Sequence, residues 1–126
     1  MKTVNDAVNL IYSAMKGNGI LIPIYLFQKP TQLQPDQYYV VNGLPISSGV
    51  MQSCKVNVNF FAKDIAPGIP NLTSLESGAN SIVSMFVSYA DNTNGIYVEL
   101  YSQSVARSDS SGEHYTNVKL NVTFLN

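Results

Sequence analysis

Residues 54–60 read CKVNVNF and residues 118–124 read VKLNVTF, so almost the same phrase occurs twice in one short chain. Both copies alternate apolar and polar residues at the two-residue period of a β-strand with one face buried. Val56, Val58 and Phe60 form one inward set, and Leu120, Val122 and Phe124 the other. Two strands facing the same apolar layer are expected, and convergence on that single packing requirement explains the repetition better than duplication does. The outward sets are Lys55, Asn57 and Asn59, and Lys119, Asn121 and Thr123. If the strands are neighbours, these side chains form a continuous amide and hydroxyl surface that bonds a partner without the cost of burying ions.

Outward from the two phrases, helical and β periods alternate along the chain. Thr3 with Asp6 has the form of a capping box, and Val4, Ala7, Val8, Ile11, Ala14 and Met15 follow at helical spacing. Lys16 in the last turn and Gly17 after it predict a helix over about 4–16. A strand is expected over about 22–28, with Pro23 confining it to a strand start or a sheet edge. Residues 37–42, QYYVVN, read as a second β segment, and residues 50–63 as a longer strand that contains the first phrase. DIAPGIP at 64–70 ends that strand. Thr73 and Glu76 then resemble a second capping box ahead of Leu75, Ala79, Ile82, Val83 and Phe86, one face of a helix over about 73–88. Gly78 inside it costs about 1 kcal/mol relative to Ala, which a packed apolar stripe outweighs. After the DNTNG turn at 91–95, residues 96–106 and 114–125 are two alternating segments joined by 107–113, a long hairpin. The expected fold is α+β in the order α-β-β-β-α-β-β, one mostly antiparallel sheet with two helices packed on one face.

Composition bounds the function. At 126 residues and 13.8 kDa the chain has the size of one domain, spanning 1–126. Charged residues make up 12%, roughly half the share usual in soluble domains, and Asn, Ser, Gln and Tyr take their place. A net charge of −1 without a basic run argues against affinity built on neutralising phosphates, so no sequence-specific nucleic-acid binding is expected. Sparse charge also removes like-charge protection against association, which fits a protein partly covered by partners in its working state, and fits simple compositional drift equally well. The N-terminal MKTVND carries an early acid and no apolar run of leader length, and no segment reaches membrane-spanning length, so folding in a cytoplasm is expected.

Residues that carry chemistry are few. Cys54 is the only cysteine, which excludes an internal disulfide, and its apolar strand position marks it as a small buried hydrophobe. His114 is the only histidine and is expected at a strand end, although a catalytic pairing with Cys54 or a serine is not excluded by sequence. Asp36, Asp64, Asp91, Asp109 and Glu113 fall in turns or at strand ends, with no metal-ligand spacing. The glycines match neither a dinucleotide fingerprint nor a phosphate loop, so no cofactor is expected. Tyr97 and Tyr101 share a face with Glu99 and Gln103, opposite Ile96, Val98 and Leu100, and are the tyrosines best placed for an interface.

The whole layout resembles the tail terminator, or tail-completion, proteins of long-tailed bacteriophages, the group that includes minor tail protein U. The resemblance runs through the N-terminal helix, IYLFQKP at 24–30, QYYVVN at 37–42 and KVNVNFFAK at 55–63. It continues through the proline–glycine break, the second helix and DSSGEHY at 109–115 before the alternating end. It implies a ring, typically a hexamer, on the head-proximal end of the tail tube, built in the host cytoplasm and carried in the virion tail. Such a ring stops addition of tube protein and offers a surface to the head or neck connector, without covalent chemistry. The amide face, Lys55, Asn57, Asn59, Lys119, Asn121 and Thr123, with Tyr97 and Tyr101, is then expected at a subunit contact or on a ring's inner wall. The competing expectations are a small-ligand or peptide-binding α+β domain, and an enzyme using His114 or Cys54.

Overall fold

The computed structural model describes residues 3–29, 35–44, 51–87, 89–91, 93–104, 107–109 and 112–125, without the side chains of Met51 and Arg107–Asp109. Its first helix, α1 (Val4–Gly17), opens on the expected capping box, with Asp6 N donating to Thr3 Oγ1 at 3.2 Å and Thr3 N to Asp6 Oδ2 at 2.7 Å. The second, α2 (Leu72–Phe86), starts earlier than its Thr73–Glu76 pattern suggests. Asn71 is the N-cap, its side-chain oxygen accepting from Ser74 N at 3.3 Å, so Thr73 falls inside the first turn.

The strands are β1 (Ile24–Leu26), β2 (Gln37–Gly43), β3 (Met51–Lys63), β4 (Tyr89–Asp91), β5 (Ile96–Gln103), β6 (Arg107–Asp109) and β7 (Glu113–Leu125). They form one mixed sheet in the order β1-β2-β3-β7-β5-β4, with β6 also pairing β7. The two repeated phrases lie side by side at its centre. β3 and β7 run antiparallel over their full lengths, with Cys54 opposite Val122, Val56 opposite Leu120 and Val58 opposite Val118. This register sets inward residue against inward and polar against polar, and a slip of one position would turn every apolar side chain of a strand to the wrong face.

Both helices contribute to one core. Ala7, Val8, Ile11 and Met15 of α1 and Leu75, Ala79, Ile82 and Phe86 of α2 are buried with Tyr39, Val41, Val56, Val58, Phe60, Leu120 and Val122 of the sheet. Gly43 and Gly78 are the close approaches. A β-carbon on Gly43 would meet Val4 Cγ1 at 2.6 Å, and one on Gly78 would meet the Phe60 ring at 2.4 Å. The Tyr39 hydroxyl donates to Gly78 O at 2.9 Å, tying α2 to β2 at that point.

The element order is α-β-β-β-α-β-β-β-β, two short strands more than expected. β4 pairs Ile96–Val98, and β6 pairs Glu113–Tyr115, so much of the stretch expected as a connection over 107–113 is ladder. The strand expected over 22–28 shortens to β1, which lies parallel to β2, and Phe27 beyond it has φ 72°. Phe27 N still donates to Val41 O at 2.7 Å, and parallel pairing then requires a crossover connection back to the start of β2. Val50, Ser88, Val105 and Ala106, at the expected ends of three elements, lie outside the described residues.

Candidate functional site

Odd-numbered positions of β3 and β7 face away from the helices. Lys55, Asn57, Asn59, Lys119, Asn121 and Thr123 share that outer face through the register Lys55 with Asn121 and Asn57 with Lys119. Tyr97 and Glu99 join it from β5, opposite Thr123 and Asn121. Between Leu100 and Ser102 the β5–β7 register shifts, which makes Tyr101 the extra residue of a bulge. The Lys55 ammonium lies 4.5 Å from the Tyr101 ring centroid, so Tyr101 is on the outer side and the expected site residues are gathered on one face. Gln103 is not among them. One inserted residue reverses the alternation, and Gln103 stands opposite inward-facing Val118, which corrects its expected place beside Tyr97 and Tyr101.

The amides on this face are bonded to one another. Asn57 Nδ2 donates to Asn42 Oδ1 at 2.9 Å, and Asn117 Nδ2 donates to Asn57 Oδ1 at 3.2 Å and Asn59 Oδ1 at 2.7 Å. Beside this ladder, Lys55 Nζ donates to Asn121 Oδ1 at 2.8 Å, and Asn121 Nδ2 reaches Thr123 Oγ1 at 3.4 Å. Sequence reasoning missed Asn42 and Asn117. The signal was present for Asn117, which shares parity with Lys119, whereas Asn42 reads as the start of a turn. With part of their bonding capacity used internally, the amides are held in one orientation, so this surface is preorganised. A shallow depression of about 270 Å³ lies among Asn57, Asn59, Tyr115, Asn117 and Lys119.

The same outer face is aromatic at its other end. Tyr25 packs edge-on to Tyr38 at 5.8 Å, Tyr38 stacks on Phe61 at 4.8 Å, and Phe61 on Tyr115 at 5.1 Å. Lys29, just beyond β1, places its ammonium 5.4 Å from the Phe61 centroid and 3.2 Å from Glu113 Oε1. Tyr38 OH donates to the same Glu113 oxygen at 2.6 Å. Tyr38, Val40, Phe61 and Glu113 are thereby buried, which restricts the open polar surface to the amide end. Tyr38→Phe should lower stability by about 2 kcal/mol, because it strips a charge-assisted bond from a buried carboxylate. Lys29→Met should cost less, about 1 kcal/mol, since the Lys29 side chain is about a third exposed and Tyr38 still bonds the carboxylate. Urea denaturation of the two variants tests this ranking.

His114 and Cys54 lie on the inward face but not together. His114 stands opposite Ala62, eight positions along β3 from Cys54, a separation of roughly 26 Å. His114 Nδ1 does meet an acid, Asp64 Oδ1 at 2.6 Å, the form of a base with its orienting carboxylate. The pair lines neither the depression on the amide face nor the concavities along α2, and ties β7 to the segment after β3. The Cys54 thiol donates to Leu44 O at 3.1 Å, and burial pushes its pKa up, which disfavours the reactive thiolate. Among the described residues, no group of three or more His, Cys, Asp or Glu side chains could hold a metal ion. No described helix is long and apolar enough to cross a membrane. No protein-family model matches the chain, and no curated protein is significantly similar to it in sequence.

Proposed function

We propose that the chain is a structural assembly protein of a phage or prophage tail, which forms a ring, typically hexameric, that caps the tail tube and joins it to the head or neck connector. The observation that carries this reading is the outer face of β3, β7 and β5, where a cross-bonded set of amides lies beside Lys55, Tyr97 and Tyr101. Such a surface suits capping by shape, because its side chains are ordered before binding and little ionic desolvation opposes contact. The order of the elements supports the same reading through the resemblance of the whole layout. The mechanism needs no bond-breaking step. Subunits join head to tail until the ring closes, and the closed ring presents one face to tube protein and the other to the connector. Assembly then takes place in the host cytoplasm, and the ring ends in the virion tail.

A small-ligand domain is the alternative, and the depression on the amide face gives it no support. At about 270 Å³ it falls below the 300–1,000 Å³ usual for ligand pockets, and it is shallow where such sites are deep. The test is capping itself. Adding the purified protein to growing tubes of its own tube protein should halt elongation, with a ring at one end in electron micrographs; unaltered tube growth would sink the proposal. Asn57→Ala combined with Asn121→Ala should leave the circular dichroism spectrum and thermal midpoint nearly unchanged while abolishing capping. A collapse of the fold in that variant would instead make the amide face part of what holds the sheet together.

A further inference from the structure

We propose that the turn following β3 is the contact by which one copy of this chain holds the next, its apolar tip seating in the groove beside α2 of a second copy. The proposal rests on the ring reading above and names the surface that builds the ring. The tip is preformed. Ile65 N donates to Ile69 O at 3.0 Å and Ile69 N to Ala66 O at 2.9 Å, closing a turn with Pro67 followed by Gly68 at φ 74°. Its base is fixed by Asp64, which bonds His114 through its carboxylate and Gly112 O through its N–H. On this rigid support Ile65 is 68% exposed and Ile69 50% exposed. The turn thus holds two apolar side chains in water on a fixed backbone.

The matching concavity lies where α2 leaves the end of the sheet uncovered. Leu72, Leu75 and Ala79 form its helical wall, Gln103 and Thr116 its floor, and Glu76 its rim, enclosing about 370 Å³. Gln103 reaches this side because the bulge at Tyr101 reverses the alternation of β5. Within one chain the tip does not enter the groove, since Ile65 and Ile69 remain exposed and neither lines it. The charges also match across the contact. Lys63 beside the tip and Glu76 on the rim are both exposed, and neither has an ion-pair partner among the described residues. Every copy carries both halves, so the occupant that fits is another copy, and a repeated tip-to-groove contact is of the heterologous kind from which rings are built when the rotation between copies closes.

Sedimentation velocity on the full chain over a range of concentrations tests this. Wild type should assemble, Ile65→Asp with Ile69→Asp should remain monomeric, and so should Leu72→Asp. These side chains are exposed, and unchanged circular dichroism confirms that folding survives. Lys63→Glu and Glu76→Lys should each weaken assembly about tenfold, and the two together should restore it. Chains carrying Ile69→Cys should form a mixed disulfide with chains carrying Leu72→Cys under mild oxidation. Rings that persist in the tip and groove variants would overturn this contact and leave the ring reading standing. Two-fold dimers sensitive to both sets would keep the contact and overturn the ring. A chain that stays monomeric and yields no mixed disulfide overturns the contact, while tube capping decides the ring separately.

Discussion

Gly78→Ala should lower the unfolding free energy by about 3 kcal/mol, although Ala is the better helix former by about 1 kcal/mol. Gly78 is in α2 with helical neighbours on both sides, so intrinsic propensity alone predicts stabilisation. Packing reverses the sign. The added β-carbon would fall 2.4 Å from Cδ2 and Cγ of Phe60 and 2.6 Å from Cε2, inside the ring's van der Waals surface. Phe60 is buried and tilted against Tyr39 with centroids 4.9 Å apart, so the ring has little room to withdraw. A displaced α2 would also strain the bond from the Tyr39 hydroxyl to Gly78 O. Urea midpoints of the single variant and of Gly78→Ala with Phe60→Leu provide the check. The smaller side chain at 60 should recover most of the loss, and a Gly78→Ala protein more stable than wild type would show that helix and sheet separate easily here.

The same point illustrates what sequence discloses. The apolar stripe of α2 and the inward set of β3 were both legible by period, whereas the pairing of the two repeated phrases stood only as a condition, because strand order leaves no mark in a period. That Gly78 is where stripe and set touch was not legible, because the distance between a helix and a sheet is a property of their docking. The short strands escaped for a different reason. Tyr89–Asp91 and Arg107–Asp109 are too brief to display a period, and they exist through pairing with Ile96–Val98 and Glu113–Tyr115. The cap of α2 shows competition between two adequate signals. Thr73 and Glu76 fit a capping box, but Asn71 binds Ser74 N first and the helix begins at Leu72.

For the candidate site, parity found the face and left its chemistry hidden. Counting alternate residues put Lys55, Asn57 and Asn59 on one outward set and Lys119, Asn121 and Thr123 on another, and the adjacency of β3 and β7 joined the two. It could not reveal that Asn117 bridges Asn57 and Asn59, which depends on register. Nor could it place Gln103, because a bulge at Tyr101 leaves no mark in the local sequence. The aromatic end of the face was missed because Tyr38 and Phe61 face outward yet are buried, covered from the side by Tyr25, Tyr115 and Lys29.

Alkaline unfolding should expose a single tyrosine as the origin of a large loss of stability. Burial pushes the Tyr39 phenol from 10.0 up to about 12, with the Ser81 hydroxyl opposing the shift in part. The folded chain therefore holds this proton more tightly than the unfolded chain does, and the stabilising contribution is complete below pH 10. As pH rises above 10 the unfolded state ionises first, and stability falls until the folded state also ionises near pH 12. A difference of this size is worth about 3 kcal/mol over the whole window. High pH acts on more of the protein than this one phenol, so the measurement is a difference between wild type and Tyr39→Phe. At neutral pH the variant should be less stable by about 1 kcal/mol, having lost the bond to Gly78 O. Between pH 10 and 12 the order should reverse, since the variant has no phenol at this site to ionise. Parallel stability curves across that window would mean that Tyr39 ionises without leaving the core, and that the contact joining β2 to α2 admits water.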